Sequence, residues 1–99
     1  MYLVREVVNC RPGKVRPMVE KFRMLSGAIE ELGEKPFRLL TDLSGESFWT
    51  VVLEAEVERV EDFIAYERKL MEDPAVRESM AGHHDLILGG RREIYRIEQ

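Results

Sequence analysis

The sequence predicts an α+β fold in which two main helices lie on one face of a four-stranded antiparallel sheet. Three observations carry that expectation. Four stretches with strand character, Tyr2–Cys10, Pro36–Leu43, Ser47–Glu56 and Arg91–Glu98, are interrupted by only two long stretches of helical period. They fall in the order strand, helix, two strands, helix, strand, the split βαβ arrangement. The third strand stretch, through Phe48-Trp49-Thr50-Val51-Val52-Leu53, is apolar at both parities, the mark of a strand covered on both sides. Two helices cover one face only. The second cover is therefore expected from another copy of the chain, a homodimer joined through the sheet face.

The first strand alternates Tyr2, Val4, Glu6, Val8, Cys10 with Leu3, Arg5, Val7, Asn9 and is rich in β-branched residues. Arg11-Pro12-Gly13-Lys14 turns the chain. Val15, Met18, Val19, Phe22, Leu25, Ile29 and Leu32 then form one helical stripe. Pro17 fits only a first turn, so this helix begins at residue 14 to 16, and Gly33 stands just past its end. Ser44-Gly45-Glu46 joins the second and third strands as a short hairpin. A second helix is expected over Arg59–Met71, with Val60, Phe63, Ile64, Leu70 and Met71 facing in. Asp73-Pro74 caps a short third helix over Pro74–Met80, ended by Gly82. Residues 83–88 lead through Gly89-Gly90 into the last strand. Right-handed crossovers place both long helices on the same face of this ferredoxin-like sandwich.

A chain of 99 residues with 44% hydrophobic and 34% charged residues is expected to form a single globular domain over residues 1–99. Nineteen acidic against fifteen basic residues, with the basic ones scattered, exclude an extended nucleic-acid surface. No stretch is apolar for long enough to span or anchor in a membrane, and the amino terminus lacks a signal-peptide layout. The lone Cys10 has no internal partner, which suits a reducing, cytoplasmic location.

Two strings carry a resemblance. Arg11-Pro12-Gly13-Lys14 after the first strand, and the closing Gly89-Gly90-Arg91-Arg92-Glu93-Ile94-Tyr95, are similar to the corresponding segments of the NIPSNAP group. That group belongs to the dimeric α/β-barrel superfamily, together with antibiotic-biosynthesis monooxygenase-like proteins. The resemblance implies two sheets closing face to face across a two-fold axis, with a small-molecule pocket in each subunit. It leaves function open, because the superfamily holds oxygenases, haem-degrading enzymes, isomerase-like proteins and members with no known activity. It also implies that the first and last strands are antiparallel neighbours. Arg5 then meets Glu93, and Glu6 meets Arg92 or Arg96.

Other users of this element order fit poorly. An RNA-recognition module needs exposed aromatics in a basic third strand, and this one follows Glu46 and has no basic residue. A metal-transfer domain needs a Cys-x-x-Cys pair. An acylphosphatase-like anion loop needs a backbone donor that Pro12 removes.

The residues that might carry chemistry are few. His83 and His84 are the only histidines; either would serve as a base at a cavity mouth, or the pair is a surface feature between helix and strand. Neighbours in an extended segment point apart and no further ligands accompany them, so no metal site is expected. Arg5 is the third catalytic candidate, as a buried guanidinium for a carboxylate or enolate, against a plain cross-strand ion pair. Trp49 as a stacking surface, with Tyr66 and Asn9 as polar partners, are the ligand-binding candidates, against core or dimer packing. Met18, Met24, Met71, Met80 and Cys10 read as packing. Nothing asks for a cofactor. The expected function is a small cytoplasmic homodimer binding a small, partly apolar molecule in each subunit. The alternatives are a cofactor-independent monooxygenase- or isomerase-like enzyme, and a structural or partner-binding dimer with no ligand.

Overall fold

The computed structural model describes residues 1–99. The alternating amino-terminal run forms β1 (Tyr2–Cys10), and the helical stripe after it forms α1 (Val15–Glu31), with Pro17 in the first turn. Met18, Val19, Phe22, Leu25, Ala28 and Ile29, three or four residues apart, are its buried side. Gly33 ends the helix with φ 79°. Its N–H donates to the Glu30 carbonyl at 2.9 Å, and the Glu34 N–H to that of Ile29 at 3.2 Å. A Cβ would strain that left-handed turn. β2 (Arg38–Thr41), β3 (Thr50–Val57), α2 (Val60–Glu72), α3 (Pro74–Ser79), a 3-10 turn (His83–Leu86) and β4 (Ile87–Arg96) follow.

The sheet order is β2-β3-β1-β4, antiparallel throughout, with the helices on one side. This is the ferredoxin-like sandwich. Val8 and Cys10 of β1, Val51 of β3 and Ile87 of β4 meet the α1 stripe, Leu70 and Val76 in one core. Asp73 caps α3 as its sequence suggests, its carboxylate accepting the Val76 N–H at 3.1 Å. On the helix side Arg92 bonds Glu6 of β1 and Glu67 of α2, and lies 4.9 Å from the Phe63 ring centre. That places β4 beneath α2. No helix is long and apolar enough to cross a membrane.

Three strands differ from expectation in their boundaries. β2 is only four residues long and β4 starts four residues earlier than expected, running back through Gly89-Gly90. The larger change is at β3, which starts at Thr50, leaving Ser47, Phe48 and Trp49 in the connection. The Thr50 N–H donates to Asp42 Oδ1 at 2.7 Å and the Thr50 hydroxyl to the Ser47 carbonyl at 2.9 Å. These side-chain bonds replace ladder bonds and end the pairing early. The expected three-residue hairpin is therefore an eight-residue loop, 42–49. In it Phe48 is 83% exposed and Trp49 holds φ 64°.

The doubly apolar strand dissolves with that shift. Of the residues that suggested it, Phe48 and Trp49 are not in the strand at all. The helix-free face carries Arg38, Glu54, Arg5, Glu93 and Arg91, with Val7 and Val52 between them. Leu3, Leu40 and Tyr95 share that face, so within one subunit it is a row of ions set among apolar side chains. Val7 is nonetheless only 5% exposed, shielded by the stems of the long side chains around it. Along α2, Ile64 and Met71 stay outside, because the stripe in use is Phe63, Tyr66 and Leu70, about 100° away round the helix. Met24 is also exposed, whereas Met18 is buried and Met80 half-buried against the core.

Candidate functional site

The charges of the helix-free face form one row that crosses the sheet in strand order. Glu54 of β3 is its centre and is 8% exposed. Its Oε2 accepts from Arg5 Nε at 2.9 Å and its Oε1 from Arg38 at 2.6 Å, so β1 and β2 are both tied to it. Arg5 also lies 3.6 Å from Glu93 on β4. Glu93 accepts from Arg91 Nε at 2.8 Å, and Arg91 reaches Glu46 of the 42–49 loop at 3.3 Å. Three cations and three anions alternate from β2 to β4 and neutralise one another.

The row sets the electrostatics. The bond from Arg38 holds the Glu54 carboxyl below its usual range against the cost of burial, and Arg5 adds to the effect. Glu93 is likewise held low, chiefly by Arg91. Arg38 and Arg91 are pushed further up, first by their bonds to Glu54 and Glu93. Both carboxylates are therefore acceptors near neutral pH, each already engaged. A fully anionic ligand would have to displace them.

Two clefts border this row. The larger, about 720 Å³, wraps round the free end of β3, where β2 stops opposite Glu54 and leaves Ala55, Glu56 and Val57 without a neighbour on that side. Leu3, Val57, Phe63, Tyr66 and Ile97 supply its apolar wall; Arg5, Arg38 and Glu54 supply its polar one. Tyr66 packs against Phe63 with ring centres 6.3 Å apart. Burial, and then the Glu34 carboxylate, push its phenol up, which keeps it a hydrogen-bond donor. The smaller cleft, about 330 Å³, lies on the helix-free face between Val7, Asn9, Val52 and the 42–49 loop.

The residues singled out from sequence are thus distributed over several places. Arg5 lines both clefts, Tyr66 the larger and Asn9 the smaller. Trp49 lines neither and contributes its carbonyl, which accepts the Cys10 N–H at 2.8 Å. His83 and His84 line neither; their rings stack with centres 3.9 Å apart, and His83 Nδ1 lies 2.7 Å from the Met80 carbonyl. Sequence reasoning paired Arg5 with Glu93 and Glu6 with Arg92, and both contacts are present. It missed Glu54 and Arg38. A single acid inside Val51-Val52-Leu53-Glu54-Ala55 was the available signal, readable only once the register put it opposite Arg5.

No family model matches the chain, and no curated protein does. Thirty-eight chains of known structure do match. A NIPSNAP-like domain protein from Burkholderia xenovorans superposes with a TM-score of 0.83 at 17% identity, over 99% of this chain and 85% of that one. A NIPSNAP family protein from Agrobacterium tumefaciens gives 0.79 at 18%, over 97% and 92%. A candidate antibiotic biosynthesis monooxygenase from Nitrosomonas europaea gives 0.68 at 18%, over the whole of both chains. At these identities the likeness establishes the shared fold.

Proposed function

We propose that this protein is a homodimer, closed through the helix-free faces of its sheets, that holds a small, partly apolar molecule in the larger cleft of each subunit. The observation that carries the binding reading is the cleft of about 720 Å³ where Tyr66 and Phe63 meet the Arg5–Glu54–Arg38 cluster. Ligand pockets commonly fall at ~300–1,000 Å³ and combine an apolar wall with a few convergent polar groups. The charged lining of the cleft, Arg5, Lys35 and Arg38 against Glu34, Glu54, Glu56 and Asp62, holds no surplus of positive charge, so the fitting ligand is neutral: a flat ring to lie on Phe63 and Tyr66, with oxygens to accept from Tyr66 and Arg38. Phenols and quinones have that chemistry.

The dimer does not rest on a bare apolar sheet, since a row of ions crosses the face. Its support is a charge row that is already paired and so adds no net charge when covered, with Val7 and Val52 beside it. The reduced thiol Cys10 suits a cytoplasmic location. Sedimentation at micromolar concentration tests the assembly: a dimer is expected, and an 11.6 kDa species removes it. A thermal-shift screen of phenols, quinones and haem tests the cleft. A ligand at ~100 times its Kd adds about 2.7 kcal/mol. Stabilisation that survives Tyr66→Ala and Phe63→Ala would place the ligand elsewhere, and a blank screen would favour a dimer without a ligand.

A further inference from the structure

Three large apolar side chains stand exposed on one loop of this protein. Leu43 is 103%, Phe48 83% and Trp49 45% exposed, and all three lie in the 42–49 connection. Trp49 also keeps φ 64°, a left-handed conformation that a bulky residue rarely adopts. Exposed apolar side chains on a strained segment call for an occupant opposite them.

The loop's position says what that occupant is. Glu46 reaches across β3 and β1 to Arg91, so the loop folds over the helix-free face at its Asn9–Thr50 end. Any copy of the chain laid on that face meets the loop. Two loops at the same end would collide, so a symmetric pair places each loop at the other end of its partner's sheet. That other end is the Leu3–Val57 end, where the larger cleft opens beside β3. The roots of the loop and the cleft share the β2–β3 side of the sheet.

We infer that the Leu43–Trp49 loop of each subunit closes the larger cleft of the other, so that each ligand site is built from two chains. This rests on the face-to-face dimer proposed above and adds to it the identity of the missing wall. Trp49 and Tyr66, far apart in function within one subunit, then belong to one site: the partner's Trp49 lies across from Tyr66 and Phe63, and the bound ring stacks between them.

The test uses the full-length chain. Trp49 is its only tryptophan, so acrylamide quenching reports that residue alone. Shielding in the dimer, lost on dilution to monomer, is expected. Ser47→Cys combined with Lys35→Cys should give a covalent dimer on oxidation, with neither single variant doing so. Leu43→Ser with Phe48→Ser alters side chains already exposed in the subunit, so the fold is kept. It should weaken dimerisation about 10- to 100-fold. A dimer in which Trp49 quenches as freely as in the monomer, with no cross-link and unchanged affinity in the loop variant, would overturn the loop-to-cleft contact while leaving the sheet-face dimer intact. A monomeric wild-type chain would remove both.

Discussion

Arg5 and Glu54, directly opposite on the two central strands, are joined by two bonds of 2.8 and 2.9 Å to one carboxylate oxygen. Glu54 is almost fully enclosed while Arg5 is one-third exposed, so the pair is only partly screened by water. It joins the middle of the sheet and forms the polar corner of the larger cleft.

Arg5→Leu leaves Glu54 with Arg38 alone, and Glu54→Leu leaves Arg5 with only Glu93 at 3.6 Å. Each should cost about 1–3 kcal/mol in urea unfolding, and the double variant less than the sum. Strict additivity of the two losses would show that the pair does not couple.

Acid should unfold the protein partly through this row. Glu54 and Glu93 are held below 4.5, the usual value for a glutamate, by Arg38 and Arg91 respectively. The unfolded chain then takes up those protons first as pH falls. Their contribution is complete above pH 4.5 and disappears as pH drops through the lower folded values. The urea midpoint should hold between pH 7 and 5 and fall below 4.5, with a shallower fall in Glu54→Gln. An equally steep limb in that variant would assign the acid sensitivity to other carboxyls.

The neighbouring glycines of β4 should respond differently to alanine. A Cβ on Gly90 would stand 2.7 Å from the Val7 carbonyl oxygen, fixed in a central strand, whereas one on Gly89 meets nothing within 4 Å. Gly90→Ala should lose about 1–3 kcal/mol, as overpacking does, and Gly89→Ala less than about 1. Equal melting temperatures would mean that β4 moves aside.

Cys10 is 1% exposed, and burial, with Asp42 adding, pushes its thiol up. It should resist alkylation in the native protein at pH 8 and react promptly once unfolded, with a native rate set by opening. Rapid native labelling would place the thiol at the surface.

The order of elements, the α1 stripe with its Gly33 stop and the Asp73 cap follow from local chemistry, because periodicity and capping act within a few residues. The contact of Arg5 with Glu93 was available from the implied pairing of the end strands. The start of β3 was not. Phe48-Trp49 looks like strand, and only Asp42 and Ser47, through their bonds to Thr50, turn it into loop.

Apolar spacing alone dictates a four-stranded sheet with two main helices on one side, because it decides which surfaces must leave water. Tertiary structure alone decided that the other side bears an alternating row of ions. Arg38 lies 16 residues from Glu54, and Arg5 lies 49 from Glu54 and 88 from Glu93, and a one-residue change of register would send each to the opposite face.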